Sequence, residues 1–260
     1  MFKIKNFNDN DNVKIIEQAG PFSILEYQKD LSVYPSEAVI TYFSKEMNIK
    51  KRQIICNLNN TSGVILQAGA MQFMVGDVQA ATGVKGAKDL VGKLFTGKVT
   101  GETAIKPEYS GTGFLVTEPT YKHIIPISMD EWNNSVVLDD GLFIACESSI
   151  RTQAVMRKSV SSAVAGGEGL FSLGATGEGI LLIESIVPKN ELVEVELQND
   201  QIKIDGNMAI AWSKSLDFTV ERTTRSLVGS AASGEGLVNV YRGTGKILMA
   251  PVVRRPIQTL

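Results

Sequence analysis

Alternation of apolar and charged residues is clearest in the segment NELVEVELQNDQIKID, which begins at Asn190 and predicts a half-exposed β-strand. Two further segments, 136–150 (VVLDDGLFIACESSI) and 202–216 (IKIDGNMAIAWSKSL), each place an acidic residue and a glycine between two apolar runs. An Asp-Gly step between apolar alternations favours a tight turn, so each segment is predicted to be a β-hairpin. Residues 63–73 (GVILQAGAMQF) resemble the second half of that hairpin.

A longer pattern recurs at a step of 66 or 67 residues, in which a Gly-Glu pair precedes a Gly-x-Gly motif and an apolar run. The pairs are Gly101 and Glu102, Gly167 and Glu168, and Gly234 and Glu235; the motif glycines are Gly111 and Gly113, Gly177 and Gly179, and Gly243 and Gly245. Glycine reaches positive φ at little cost and permits bulges, so we expect the motif glycines at strand corners with positive φ. Residues 101–119, 167–185 and 234–250 are predicted to form three superimposable β-hairpin units.

These signals predict an all-β fold with very little helix. The expected architecture is an internally repeated, pseudo-threefold antiparallel β-sandwich or β-helix-like structure. We expect a single domain over residues 1–260, made of units at about 10–119, 120–185 and 186–252. A short helical turn is predicted within residues 127–134.

The best helical pattern lies at residues 84–95, inside an insertion that the first repeat unit carries between Gly76 and Lys98. This segment combines lysines with an apolar stripe, and its candidate interaction surface is Lys85, Lys88, Leu90, Leu94 and Phe95. Two roles stay open for it. The stripe either closes one end of the β core, or docks on a partner protein, a second copy or an acidic membrane surface.

Charge and composition narrow the classes of partner. The formal net charge is −2 and 43% of residues are hydrophobic, so we expect an ordinary globular protein that does not bind nucleic acid. The basic cluster of Lys50, Lys51 and Arg52 is predicted to be a solvated edge. No signal-peptide pattern and no apolar run of membrane-spanning length are present, so a cytoplasmic location is expected; peripheral membrane contact has no support in the sequence.

No reactive constellation stands out, so the chain is predicted not to be an enzyme and to need no cofactor or metal. Cys146 lies in an apolar run, which favours a buried thiol, and Cys56 has no cysteine at metal-binding spacing. The lone histidine, His123, has no metal donors beside it. The segment GKLFTGKV from Gly92 resembles a phosphate-binding loop but has Val99 where that loop needs Ser or Thr.

The repeated acidic residues leave two readings open. Glu102, Glu168 and Glu235 could each cap a local turn, or could converge near a pseudo-threefold axis and bind a cation.

The Gly-Glu and Gly-x-Gly units, the Asp-Gly segments and the 63–73 segment together resemble the mitochondrial-biogenesis (altered inheritance of mitochondria) family, formerly a domain of unknown function. The resemblance extends over roughly residues 10–252. It implies an all-β fold similar to that of the tryptophan-attenuator RNA-binding protein, and it carries no catalytic residues. Eukaryotic members are associated with inner-membrane organisation in mitochondria; this chain lacks an Arg-rich transit peptide, so we do not expect that location. RNA binding is not inherited from the fold.

The sequence therefore favours a non-catalytic scaffold or assembly protein of unknown biochemical role, acting through protein surfaces. Its expected partner is a second copy in a homo-oligomer, or another protein. The alternative is a module that binds a small ligand or an ion at the pseudo-threefold axis or under the 76–100 insertion.

Overall fold

The computed structural model describes residues 2–82, 106–156, 158–159, 171–206, 208–222 and 237–251. Strands make up 57% of these residues and helices 11%, so the all-β prediction is confirmed. The strands are β1 (Val13–Ala19), β2 (Phe22–Tyr27), β3 (Arg52–Asn57), β4 (Val64–Leu66), β5 (Met71–Ala81), β6 (Glu108–Thr117), β7 (His123–Ser128), β8 (Ser135–Leu138), β9 (Phe143–Glu147), β10 (Arg151–Met156), β11 (Lys158–Ser159), β12 (Phe171–Thr176), β13 (Ile180–Ser185), β14 (Val193–Asp205), β15 (Ala209–Ser213), β16 (Asp217–Arg222) and β17 (Leu237–Met249).

Helix is confined to short elements in this part of the chain. The α-helix α1 spans Ala38–Glu46 and follows a 3-10 turn at Pro35–Glu37. Further 3-10 turns lie at Leu58–Asn60, Met129–Trp132 and Lys189–Glu191. The turn at Met129–Trp132 confirms the prediction for residues 127–134.

The described strands form two sheets. The nine-stranded sheet has the order β1-β2-β3-β6-β4-β9-β13-β7, with β5 also paired to β6. The eight-stranded sheet has the order β10-β12-β8-β15-β17-β16-β11, with β14 also paired to β17. All pairs are antiparallel except β11 with β16.

Two long strands each have three partners. In the nine-stranded sheet β6 pairs with β3, β4 and β5, and in the eight-stranded sheet β17 pairs with β14, β15 and β16. Between them in sequence, β12 pairs with β8 and β10, and β13 pairs with β7 and β9. β4 also pairs with β9, and β8 with β15. Superposition of the three units stays a prediction, as do the domain limits, because each Gly-Glu pair lies outside the described residues.

The Gly-x-Gly motifs do not form hairpins, which corrects the prediction for 101–119, 167–185 and 234–250. Two of the motifs lie inside long strands, β6 and β17, and the third joins β12 to β13 as the chain passes from one sheet to the other. The predicted backbone conformation is confirmed, because Gly111, Gly177 and Gly243 have φ of 119°, 134° and 124°. All three of their companion glycines also have positive φ, namely Gly113, Gly179 and Gly245.

The Asp-Gly segments turn as predicted, but their flanking strands do not pair with each other. Gly141 has φ of 72°, yet β8 before it lies in the eight-stranded sheet and β9 after it lies in the nine-stranded sheet. Gly206 follows β14, and β17 separates β14 from β15. The residues of the turn determine the turn itself, whereas packing between residues distant in sequence determines which strand each strand pairs with.

The largest apolar cluster joins the two sheets. It combines Ile125 and Leu181 of the nine-stranded sheet with Val136 and Leu173 of the eight-stranded sheet, all buried. The alternating strand β14 was predicted half-exposed, and its side chains indeed alternate between exposed and covered over much of its length. The core therefore occupies the interior side of both sheets and leaves α1 outside it.

Candidate functional site

Helix α1 was not predicted from the sequence, although local signals mark both of its ends. Pro35 occupies the first turn of the preceding 3-10 element, and Glu37 places an acid there. Lys45 lies in the last turn, where a cation interacts favourably with the helix dipole. Asn48, with φ of 61°, adopts the left-handed conformation in which helices end. A proline start and an asparagine stop could have revealed this helix.

The outer side of α1 is apolar and exposed. None of its residues is buried. We define the α1 face as the large apolar side chains of α1 and its flanks that are 59–74% exposed: Leu31, Tyr34, Val39, Ile40, Tyr42, Phe43 and Met47. The helical members share one side because positions three and four apart lie on one stripe.

The inner side of α1 is polar, the reverse of the usual arrangement. Thr41, Ser44 and Lys45 are partly buried and line a cavity of about 230 Å³ between the helix and the body. The cavity's other lining residues are Tyr27, Gln28, Lys29, Asp30, Ile49, Lys50, Lys51 and Tyr121. The polar side of the helix therefore faces a cavity lined mainly by polar residues, and its apolar side faces solvent.

A buried ion pair fixes the chain that follows α1. The Arg52 guanidinium donates from Nη2 and Nε to Glu26 Oε2 at 2.7 and 3.1 Å, and Nη2 also donates to the Asn48 carbonyl at 3.2 Å. Lys50 Nζ donates to Glu26 Oε1 at 2.7 Å. Burial raises the pKa of Glu26, but the Lys50 hydrogen bond and the Arg52 charge outweigh it, so this pKa lies below its ordinary value. The predicted solvated edge at Lys50–Arg52 was wrong for Arg52, which is 2% exposed.

A second set of contacts holds the segment before α1. The Tyr121 hydroxyl donates to Asp30 Oδ2, and Lys51 Nζ lies 2.9 Å from Asp30 Oδ1. Donation to Asp30 raises the pKa of Tyr121 to about 12. Lys51 Nζ also sits 5.2 Å from the centre of the Tyr27 ring. Both ends of the helix are thus tied to the body while its outer side remains uncovered.

The described residues offer little reactive chemistry. Cys56 and Cys146 are buried free thiols; burial raises the pKa of both, that of Cys146 to about 12. Such thiols are neutral and weak nucleophiles at neutral pH. Within the described ranges no group of three or more His, Cys, Asp or Glu side chains could hold a metal ion. His123 lies at the start of β7.

The interaction surface predicted from the sequence lies outside the described residues, with all of Lys85, Lys88, Leu90, Leu94 and Phe95. The same holds for the repeated acids Glu102, Glu168 and Glu235. The insertion stays a prediction; the first residues of its range, 76–81, belong to β5 and pair with β6 in register. A Cβ on Gly76 would lie 2.4 Å from the Thr112 carbonyl oxygen, so the two strands approach closely there.

The sequence profile of the family described as mitochondrial biogenesis AIM24 matches residues 44–252. The chain belongs to the mitochondrial biogenesis AIM24 family. This confirms the resemblance drawn from the Gly-x-Gly units. The matched segment contains both sheets except β1 and β2, so all but the last three residues of α1 precede it.

Similar proteins come from Streptococcus pyogenes. An uncharacterized protein of serotype M6 is 29% identical over 199 residues, covering 74% of this chain and 77% of that protein. A crystal structure of an S. pyogenes protein superimposes with a TM-score of 0.56 at 26% identity, covering 79% of this chain and 90% of that one. Neither description names an activity, and the biochemical role of this AIM24-family chain is unknown. Among the described residues no helix is long and apolar enough to cross a bilayer.

Proposed function

We propose that this chain is a cytoplasmic, non-catalytic scaffold or assembly protein that acts through protein surfaces. One observation carries the proposal: α1 turns its apolar side to solvent and its polar side to the body. Seven large side chains exposed to this extent present on the order of 1,000 Å², more than the apolar patches of about 300–600 Å² common on monomers. An exposed apolar area of that size is typical of an interaction site.

The chemistry of the described residues supports a binding role over a catalytic one. Both cysteines of the chain are buried and protonated at neutral pH, and three lysines near α1 (Lys45, Lys50 and Lys51) are paired with carboxylates. We propose a second copy or another protein as the partner. Nucleic acid is not proposed, because the net charge of −2 offers no general attraction to phosphate.

The alternative, a small ligand or ion at a pseudo-threefold axis or under the 76–100 insertion, stays a prediction. Its acidic candidates and most of the insertion lie outside the described residues. Native mass spectrometry separates the two functions, because a retained non-protein mass of fixed stoichiometry favours a ligand-binding module.

The proposal is tested by native electrophoresis of the tagged chain in extracts of its own cells. We expect the wild type to migrate in an assembly larger than its 28.2 kDa monomer. The double variant Ile40→Ser/Phe43→Ser should shift it to a smaller size. Ile186→Ser is the matched control, because Ile186 is also exposed (51%) but lies outside the α1 face. Migration of the wild type as a monomer would overturn the scaffold proposal.

A further inference from the structure

We propose that the α1 face is a homodimer interface, on which the α1 face of a second copy packs about a two-fold axis. This inference rests on the proposed scaffold function and names its first partner. A two-fold contact is isologous, so one self-complementary patch supplies both halves of the interface. An apolar helical stripe meets this condition, because two such stripes pack together in either helix direction.

The size of the face fits a dimer. A standard protein interface buries about 800 Å² on each partner, and the α1 face exposes on the order of 1,000 Å². The face also carries the residue types that dominate such interfaces: Tyr34, Tyr42, Phe43 and Met47. Charged residues are depleted in the centres of interfaces. On this side of α1 the charged residue is Glu46, which follows Tyr42 and Phe43 by four and three residues and lies 3.4 Å from Lys45 Nζ.

The charges around α1 favour a protein partner over a membrane. A helix that binds an anionic bilayer carries unpaired Lys or Arg beside its apolar side. Here Lys45 Nζ lies 3.4 Å from Glu46, Lys50 Nζ 2.7 Å from Glu26 and Lys51 Nζ 2.9 Å from Asp30. These carboxylates reduce the attraction of the three lysines to lipid phosphate.

The neutral balance of the surroundings also suits self-association. Two copies of a strongly charged patch repel each other, whereas a surface with paired charges of both signs does not. The helix itself is held on the body by the Arg52–Glu26 pair behind it and the Asp30–Tyr121 contact before it. A pre-positioned face loses little conformational freedom when it docks.

Analytical ultracentrifugation of the purified full chain tests the dimer. We expect the wild type to show a reversible monomer–dimer equilibrium, and Ile40→Ser/Phe43→Ser to raise the dimer dissociation constant at least about 100-fold. Ile186→Ser should leave the constant unchanged. The altered side chains are exposed, so both variants should keep the wild-type melting temperature. A wild type that stays monomeric at high concentration overturns the proposal.

A cross-linking experiment places the contact. Both native thiols are buried, so a cysteine introduced on α1 is the accessible one. Phe43→Cys lies on the face, whereas Ser44→Cys, its neighbour, lines the inner cavity. With a short bifunctional maleimide we expect covalent dimers from Phe43→Cys and none from Ser44→Cys. Equal yields from both, or no product from Phe43→Cys, assign any dimer to another surface and overturn the inference.

Vesicle flotation shows whether the α1 face binds a membrane instead of a second copy. If wild-type monomer floats with phosphatidylglycerol-containing vesicles and Ile40→Ser/Phe43→Ser does not, the face binds lipid and the dimer proposal is wrong. The broader scaffold proposal fails separately. If the purified chain is a monomer but migrates in a large assembly in cell extract, only the homodimer proposal is wrong. If it is a monomer in both experiments, the homodimer and scaffold proposals are both wrong.

Discussion

The Arg52 guanidinium and the Glu26 carboxylate form a buried ion pair, with Nη2 2.7 Å from Oε2 and side-chain exposures of 2% and 9%. The pair joins β2, which precedes the family-matched segment, to β3, which lies within it. Arg52 also donates to the carbonyls of Asn48, Lys50 and Lys122. Through these contacts the pair fixes the end of α1 to the sheet.

Breaking this pair should be costly. We expect Glu26→Gln to lower the free energy of unfolding by about 3–5 kcal/mol, because the Arg52 charge stays buried without a counter-ion. The double variant Glu26→Leu/Arg52→Met should lose much less than the sum of the single variants. Urea unfolding followed by circular dichroism measures both. A loss below about 1 kcal/mol for Glu26→Gln would show that water reaches the site.

The same pair should make stability fall in acid. The pKa of Glu26 is lowered in the folded protein from its ordinary value of 4.5, so its contribution is fully present above that pH. The contribution is lost as the pH falls through the folded-state pKa, where the unfolded chain binds the proton more readily. The urea midpoint of the wild type should therefore drop more steeply than that of Glu26→Gln between about pH 5 and 3. If the urea midpoints of the two proteins fall in parallel with pH, Glu26 is not the cause of the acid sensitivity.

Gly111 should resist substitution for two reasons that can be separated. Its φ is 119°, and a Cβ there would lie 2.1 Å from the Asp77 carbonyl oxygen. Gly69 has φ of 81° but nothing within 4 Å of a Cβ. We expect Gly69→Ala to cost about 1 kcal/mol from strain alone and Gly111→Ala more than about 2 kcal/mol. Thermal unfolding compares them, and equal costs would mean that β5 moves away to make room.

Deleting residues 84–95 should leave a folded protein. Ala81 of β5 pairs with Glu108 of β6, so the two ends of the intervening segment lie side by side and the remaining residues can close the connection. From the sequence, this segment is predicted either to dock on a partner or to close one end of the core. Retained folding with loss of association supports docking. An unfolded product, seen by circular dichroism, assigns the segment to the core, and unchanged association removes the docking role.

Both thiols should be unreactive in the native protein. Cys56 and Cys146 are buried and have raised pKa values, so a disulfide reagent should react only as fast as the protein opens. In urea, two equivalents of thiol per chain should react with the reagent, since the sequence contains two cysteines. Rapid reaction of either thiol in the native protein would point to an opening that exposes β3 or β9.

Several features could be read from the sequence because their causes are local. The alternation from Asn190 predicted β14, since successive side chains of a strand point to opposite faces. The Gly-x-Gly motifs predicted positive φ, since glycine alone adopts it without steric cost. The apolar context of Cys146 predicted its burial. Each of these follows from a few neighbouring residues.

Other features were decided by the tertiary structure, because they depend on residues distant in sequence. Gly141 turns the chain as expected, but long-range pairing sends β8 and β9 to different sheets. Arg52 looks like a surface charge until β2 brings Glu26 beside it. The amphipathic pattern of α1 would predict that Phe43 points inward. Contacts at the two ends of the helix turn it the other way, and so leave the apolar α1 face uncovered.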